Sequence, residues 1–509
     1  MSVKRHTRTC TVVLGLAVFL AVVCSAVVSA EATCSYRTQR VQCGDLACDK
    51  TTSVCIKCRT NDDCYPAAMR CDGASGKCKV SSFTSRLGWG TVLAMIGGCI
   101  VCSIGVIAGV GGGGILVPMF CGFLSIPMQS AVGLSQSTIC GQSTLNMYIS
   151  VQQKYPDRSW DRPLINYQYL SLLLPLGLFG TLVGGILSKL CPDVLRLVLL
   201  FVLLSGVLYR TVQKMRAQYE KDKEMREVTV EAGDTNASPS VPKEYGSSGE
   251  TAKKEAADAP NASPSAREVP AASPTSEVSQ TVLERAPQPQ YPRQELMMNF
   301  VCFFVLLAFN ILRTWTSCGG ALYWMCVLVP LLLLATAFYF NREKLRHIAE
   351  SDPTKLSFTW NQNTSINFPM VAVIAGAAAA MLGIGGGLVL GFVLYEVGLV
   401  PQEASVTGGM ATFFIAFSAA LQLLVTGSLV VDYGLVFFVV GLFATGLGQF
   451  VFMKYIKEHG LSYLIIAALA TIVGGSLVVL GGYGIYNAVD SVRENGDVMA
   501  FGRLCAKAK

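Results

Sequence analysis

Two glycine runs of similar pattern stand in apolar parts of this sequence, and their residue types suit anion binding. The first run is Gly109-Val-Gly-Gly-Gly-Gly-Ile-Leu-Val-Pro118 and the second is Gly383-Ile-Gly-Gly-Gly-Leu-Val-Leu-Gly391. Glycine in a helix interior costs up to about 1 kcal/mol relative to alanine. Both runs therefore predict a break in a helix. A break exposes the first amides of the helix that follows, which attract an anion together with the helix dipole.

The elements that must position these residues are membrane helices. Unwound backbone at membrane depth is tolerated only beside protein or a water-filled cavity, and transporters with paired repeats often hold substrate between broken helices. The predicted substrate site comprises the glycines of both runs, one proline and three hydroxyl residues: Gly109, Gly111, Gly112, Gly113, Gly114, Pro118, Ser135, Thr138, Gly383, Gly385, Gly386, Gly387 and Thr407.

The glycines allow two other interpretations. Gly109-x-Gly111-x-x-Gly114 matches a dinucleotide fingerprint, but that motif needs a preceding strand and an αβ unit, so it is rejected here. Small residues also let membrane helices pack closely. Close packing explains Gly180-x-x-x-Gly184 well, but it explains contiguous glycines poorly.

The composition predicts an all-α polytopic membrane protein. The chain is 52% hydrophobic and 14% charged, against about 25% charged residues in soluble domains. The 3 histidines lie outside the long apolar runs, which argues against a multi-histidine metal site. No nucleophile–base set and no cofactor motif is visible, so we predict neither an enzyme nor a cofactor. The net charge of +7 reflects basic residues that flank apolar segments and orient helices, and no nucleic-acid partner is predicted.

The pattern of apolar segments divides the chain into two transmembrane halves with additions. We predict a signal peptide (1–30), a Cys-rich ectodomain (31–80), a first half (87–213), a disordered Pro/Ser-rich linker (214–295), two extra helices (296–340), a basic loop (341–365), a second half (366–483) and a C-terminal tail (484–509). If the short apolar piece after each glycine run is a crossing, there are twelve segments, the halves are inverted and the linker is cytosolic. If these pieces only enter the membrane and return to the face from which they came, the linker faces outward. The basic loops favour the cytosolic linker.

Eight cysteines of the ectodomain predict up to four disulfides in an oxidising compartment, and the sequence cannot choose their pairing. They are Cys34, Cys43, Cys48, Cys55, Cys58, Cys64, Cys71 and Cys78. A zinc site at Cys55-x-x-Cys58 is the weaker alternative, and no metal is predicted. Among the few ionisable residues near the spans, Glu396 is either a proton-coupling residue or an interfacial one.

The repeated Gly-Ile/Val-Gly-Gly-Gly motif, followed by Pro-x-x-(x)-Ala, resembles the TauE/SafE family of sulfite exporters over about 90–213 and 366–483. The resemblance implies export of sulfite or a related organosulfur anion. This sequence departs from the family pattern at Phe392, where proline is expected, and at Gly408, where serine is expected.

The predicted function is therefore a secondary transporter of a small anion in the plasma membrane or an endomembrane, with the anion and the bilayer as partners. The alternative is a receptor or adhesion protein that binds an extracellular ligand through its Cys-rich ectodomain and signals through the linker.

Overall fold

The computed structural model describes residues 34–233, 289–454 and 467–484, with short gaps at 35, 37–38, 50, 66–67, 108–110, 156–161, 318, 353–354, 468–469, 472 and 483. The predicted signal peptide, positions 234–288 of the linker and the tail beyond 484 lie outside the described residues. The helices are α1 (Trp89–Ile107), α2 (Gly113–Leu124), α3 (Met128–Ser150), α4 (Tyr167–Leu190), α5 (Asp193–Gly233), α6 (Arg293–Thr314), α7 (Ala321–Ser351), α8 (Phe368–Leu382), α9 (Gly387–Glu396), α10 (Pro401–Val425), α11 (Val431–Leu447) and α12 (Val473–Gly482). A π-helical turn, Asn363–Asn367, precedes α8, and another, Gly448–Met453, extends α11.

Within the described residues, 8 helices are long and apolar enough to cross a membrane, which confirms the predicted fold class. The shorter apolar helices are α2, α9 and α12. Helix α3 has 23 residues, enough length to span, but it is much more polar than its neighbours and mostly buried among them. The chain is thus an integral membrane protein with one polar long helix, α3, in the interior of the bundle.

Each short helix after a glycine run folds back along the helix before it. A Cβ added to Gly90, near the start of α1, would lie 2.5 Å from the carbonyl oxygen of Phe123, at the end of α2. One added to Gly97 would lie 2.8 Å from Met119 Sδ. Because α2 has 12 residues, it is about 18 Å long and does not span the roughly 30 Å hydrocarbon core. Helices α1 and α2 therefore form a hairpin that ends on the face where it began.

The second hairpin, of α8 and α9, enters from the opposite face. Tyr169, at the start of α4, donates a hydrogen bond from its hydroxyl to Thr364 O just before α8. The chain leaving α9 enters α10, where Thr407 Oγ1 accepts from Asn166 N at 3.0 Å. Both ends of the second hairpin therefore lie beside Asn166, whereas the first hairpin lies beside the ectodomain. We call the ectodomain side the outer face and the Asn166 side the inner face.

The two halves interlock through equivalent parallel helix pairs. Helix α11 runs along α3, where Ser137 Oγ donates to Gly434 O at 2.7 Å and Thr445 Oγ1 donates to Gln142 O at 3.0 Å. In the other half α10 runs along α4, where the Thr181 and Ser418 hydroxyls lie 3.1 Å apart. The same arrangement, inverted, thus occurs twice, as the internal repeat of the sequence requires.

Glycines make a further cross-half contact possible, between α4 and α8. A Cβ added to Gly180 would collide with Val373 O, one added to Gly184 would collide with Ala377 O, and one added to Gly376 would collide with Gly177 O. The packing interpretation of Gly180-x-x-x-Gly184 is therefore confirmed.

Two helices extend beyond their predicted ends into charged sequence. Helix α5 continues to Gly233 and so includes the first residues assigned to the disordered linker, and α7 continues to Ser351 through the first part of the predicted basic loop. In α7, Arg346 pairs with Glu343 at 3.2 Å and with Glu350 at 3.0 Å. Such pairs support a helix after it leaves the apolar layer, so the end of an apolar run did not mark the end of the helix.

The described linker end before α6 lies at the inner face. Gln290 Nε2 donates to Val151 O at 2.9 Å, just beyond the inner end of α3. Lys344, near the inner end of α7, pairs with Glu295 at 2.8 Å. This placement agrees with the predicted cytosolic linker, although the short helices form hairpins rather than separate crossings.

The ectodomain consists of two small disulfide-bonded hairpins. Strand β1 (Ala47–Cys48) pairs antiparallel with β2 (Cys55–Ile56), and β3 (Met69–Asp72) pairs antiparallel with β4 (Lys77–Val80). The disulfides are Cys34–Cys48, Cys43–Cys55, Cys58–Cys71 and Cys64–Cys78. All eight predicted cysteines are therefore oxidised. Cys55 and Cys58 have different partners, so the zinc alternative for them is wrong.

Candidate functional site

The tips of the two hairpins meet in the interior of the bundle. Gly112 (φ 66°) and Gly386 (φ 75°) occupy the N-cap positions of α2 and α9, both in the left-handed region that favours glycine. The breaks predicted from the glycine runs are therefore confirmed. A Cβ added to Gly113 would lie 2.6 Å from Ile384 Cα, so the backbone of one break lies directly on that of the other.

This contact places the N-terminus of α2 against Gly383 and Ile384, which lie just before the N-terminus of α9 in the other half. The first amides of a helix have no acceptor within that helix, and they carry the positive end of its dipole. Two such ends in one buried location, with no acidic side chain in either first turn, form an electrostatic environment that favours an anion.

Ile139 of α3 packs against both breaks. Its side chain atoms lie 2.7 Å from a Cβ built on Gly111 and 2.9 Å from one built on Gly385, and it is fully buried. The two breaks are consequently closely packed in this conformation. Admitting an anion between them requires the halves, or α3, to move.

Two of the three predicted hydroxyls lie at this junction, and both bond to backbone. Ser135 Oγ donates to Gly383 O at 2.8 Å, so it satisfies a carbonyl at the end of α8. Thr138 Oγ1 donates to Leu134 O at 2.8 Å, within its own helix. Pro118 is buried inside α2, and Gly114 lies near α12, where its built Cβ would be 2.8 Å from Ser476 Oγ. Gly109 lies outside the described residues.

Thr407 is not at the breaks, because α10 begins at the inner face. The same sequence offset that relates Gly112 to Gly386 relates Thr138 to Thr412. Thr412 Oγ1 donates to Gly408 O at 2.8 Å, as Thr138 does in its own helix, and its methyl lies 3.6 Å from a Cβ built on Gly385. Thr412 is thus the counterpart that the sequence reasoning missed. Applying to α3 the constant offset that relates Gly112 to Gly386 and Pro127 to Pro401 would have found it.

Glu396 is the last residue of α9 and is exposed. This position, at the inner end of the second hairpin, agrees with the interfacial alternative. Its role in proton coupling stays a prediction.

The sequence reasoning also missed a buried ion pair between the halves. Arg162, before α4, and Glu403, in the first turn of α10, have side chains only 4% and 2% exposed. Arg162 Nη1 and Nη2 donate to the two Glu403 carboxylate oxygens at 2.7 and 2.9 Å, and Asn166 Nδ2 donates to Glu403 Oε1 at 3.1 Å. In the sequence Arg162 is one of several basic loop residues of the kind that orient helices. No sequence pattern links two residues 241 positions apart.

A row of buried amides on α3 and α10 was missed as well. Gln136 Nε2 donates to Ala379 O at 2.7 Å, and Gln422 Nε2 donates to Thr181 Oγ1 at 3.2 Å. Buried polar groups in a bilayer are costly unless hydrogen-bonded. The polarity of α3, which carries Gln136, Gln142 and Asn146, was the signal available in the sequence.

The fold and the site define a class: a polytopic α-helical membrane protein with two inverted halves, whose glycine-broken hairpins meet in the interior. Comparison with known proteins agrees. The sequence model of the family described as "Sulfite exporter TauE/SafE" matches residues 93–243. No solved structure matches.

Curated relatives extend the likeness over most of the chain. Sulfite exporter TauE/SafE family protein 3 of Arabidopsis thaliana is 27% identical over 424 residues, covering 82% of this chain and 83% of the relative. Family protein 1 of the same organism is 22% identical over 427 residues, covering 80% of this chain and 87% of the relative. The chain is therefore similar to TauE/SafE family proteins, as its motifs predicted, and it is an integral membrane protein.

Proposed function

We propose that this protein is a secondary transporter that exports a small anion, sulfite or a related organosulfur anion. The observation that carries the proposal is the contact between the two breaks, from which α2 and α9 each begin without an acidic residue in the first turn. The family names of the relatives support sulfite as the first substrate to test.

The mechanism follows from how the halves are connected. The anion binds when α3 and the hairpin tips separate enough to make room at Ile139, and the amides of both breaks replace part of its water shell. Arg162 and Glu403 join the halves at the inner face, so the inner route opens only when this contact changes. Because the breaks themselves carry no cation, binding stays weak enough for release, which an exporter requires.

The test measures radiolabelled sulfite and sulfate flux in proteoliposomes that contain the full-length protein, with and without a proton gradient. The test variants are Gly112→Ala and Gly386→Ala. Their added Cβ atoms would lie 2.8 Å from Val101 Cγ1 and 3.0 Å from Ile415 Cγ2, inside the break. A non-glycine residue in the left-handed region also costs about 1–2 kcal/mol. We expect at least a tenfold loss of flux, which corresponds to about 1.4 kcal/mol.

Gly427→Ala is the matched control. Gly427 also has a positive φ of 70°, but no atom lies within 4 Å of its built Cβ and it is distant in sequence from both breaks. The control therefore carries the backbone strain without filling the site, and we expect its flux to remain near that of the unmodified protein. Equal flux in all three variants, at equal membrane levels, would contradict the proposal.

A further inference from the structure

A recess with a basic lining opens toward the outer face, away from the two breaks. Its cavity volume is only about 10 Å³, room for one water molecule, within about 270 Å³ of space that includes open solvent. An anion therefore enters it only when the flexible Lys189 and Arg313 side chains move apart. Its polar lining comes from α3, α4, α6 and α10 and from the residue after α10: Gln129, Ser188, Lys189, Arg313, Gln422 and Thr426. We call this space the outer recess.

The lining contains two cations and no carboxylate. Neither Lys189 nor Arg313 has an ion-pair partner within 4 Å among the described residues, although Arg313 lies over the Tyr323 ring at 5.6 Å. The acidic group that acts on Lys189 electrostatically is Asp45 of the ectodomain, which does not line the recess. Two partly buried like charges that act on each other repel, and an anion bound between them would relieve the repulsion.

A buried amide supplies a second, independent indication of a ligand. Gln422 is 3% exposed, and its Nε2 donates to the hydroxyl oxygens of Thr181 and Ser418. Its Oε1 has no hydrogen-bond partner in the described structure. A buried polar atom without a partner is costly unless a ligand or water completes it. Cations beside a free amide acceptor suit an oxyanion that still carries a hydroxyl, because its charged oxygens and its O–H can both be bonded.

The position of the recess relates it to the breaks. Ala380, one turn before the second break, lines the recess, and Gln136, one turn from Ile139, donates to the adjacent Ala379 O. The recess therefore lies between the hairpin tips and the outer face, at the outer end of the parallel α4–α10 pair.

We propose that the outer recess is a second anion-binding site, which takes a small oxyanion through Lys189 and Arg313 as it moves between the breaks and the outer face. This inference rests on the proposed function for the direction of movement, but the binding itself can be tested without transport.

The binding experiment uses the purified full-length protein in detergent and follows its thermal unfolding midpoint with increasing sulfite or sulfate at constant ionic strength. The test variants are Lys189→Gln and Arg313→Gln, and Lys189→Arg keeps the charge. Lys355→Gln and Arg346→Gln are the matched controls, because they neutralise exposed cations near the inner face, 54% and 47% exposed. We expect each test variant to raise the half-saturating anion concentration about tenfold, and the controls and Lys189→Arg to change it by less than about twofold.

Midpoints measured without anion show whether each variant is folded, and any variant that is not is replaced by its methionine counterpart. The proposal is overturned if neither anion stabilises the unmodified protein, or if the test variants respond like the controls. If Lys189→Gln loses anion binding but the unmodified protein shows no flux, the result supports the outer recess as an anion site and counts against the transport proposal. Flux with unchanged binding in Lys189→Gln supports transport and overturns the recess.

Discussion

The buried Arg162–Glu403 pair allows a stringent test of the energetics that join the halves. Replacing Glu403 with glutamine removes the charge but nearly keeps the shape, and leaves Arg162 buried without a counter-charge. Breaking a buried ion pair by removing one partner costs about 3–5 kcal/mol. The geometry independently gives a similar value, because two charge-assisted bonds at 2.7 and 2.9 Å contribute about 1.5–3 kcal/mol each.

The double variant Arg162→Met, Glu403→Met separates the cost of an unpaired charge from the net value of the pair. It removes both charges and leaves apolar side chains of similar length. Apolar replacement of a whole buried pair is often neutral or stabilising. We therefore expect the double variant to be more stable than Glu403→Gln, despite carrying two changes.

The assay is unfolding of the full-length protein in mixed micelles of increasing SDS content, followed with a thiol-reactive dye. Cys102, Cys140 and Cys302 are buried and form no disulfide, so they react only as the bundle opens. Glu350→Gln is the matched control, since its pair with Arg346 on α7 is 59% and 47% exposed and is worth less than about 1 kcal/mol. The reasoning is refuted if Glu403→Gln loses no more stability than this control, or if the double variant loses as much as Glu403→Gln.

Two further predictions concern helix packing and the ectodomain. Gly376→Val would place its Cβ against Gly177 O in the α4–α8 contact, so we expect it to lose about 3 kcal/mol or more of stability in the same assay. The control is Gly446→Val, which should lose less than about 1 kcal/mol because no atom lies within 4 Å of the Cβ built on Gly446. Hydrogen bonds from Thr51 and Thr52 lower the pKa of Asp49 to about 2, and the hydrogen bond from Lys79 does the same for Asp72. Because these folded-state pKa values lie below the ordinary 3.8, the carboxylates stabilise the ectodomain above about pH 4 and lose that effect as the pH falls toward 2. The rate of disulfide reduction by a phosphine, divided by the rate for an unstructured disulfide peptide at the same pH, should therefore rise over this range and rise less in Asp72→Asn.

The helix breaks were predictable because they follow from local chemistry. Contiguous glycines break a helix wherever they stand, and left-handed Gly112 and Gly386 show this directly. The Gly180–Gly184 spacing likewise places both glycines on one helix face, whatever the partner helix is. Oxidation of the eight ectodomain cysteines followed from their number and compartment, but their pairing depended on how the two hairpins fold.

The parts that sequence could not supply depend on distant contacts. In the sequence Arg162 is one more basic loop residue, and only the fold brings Glu403 of α10 to it. Likewise, nothing in the sequence relates Lys189 to Arg313, which α4 and α6 place around one recess. The ends of α5 and α7 were missed for another reason. Hydropathy reports where a chain leaves the apolar layer, and charged residues paired at helical spacing can continue the helix beyond that point.

The inner and outer faces differ in this structure, and the difference shows that the inner face is the closed one. Inverted halves are related by a two-fold axis in the membrane plane, so an identical conformation of both would leave the two faces alike. Instead the inner face is closed by a buried bidentate ion pair between the halves, while the recess opens toward the outer face and the breaks are packed around Ile139. In the proposed transport cycle, exchanging the arrangements of the two halves would open the inner face and close the outer one. The Arg162–Glu403 pair must be broken in that exchange, and its cost of about 3–5 kcal/mol has to be met by new contacts or by the bound anion.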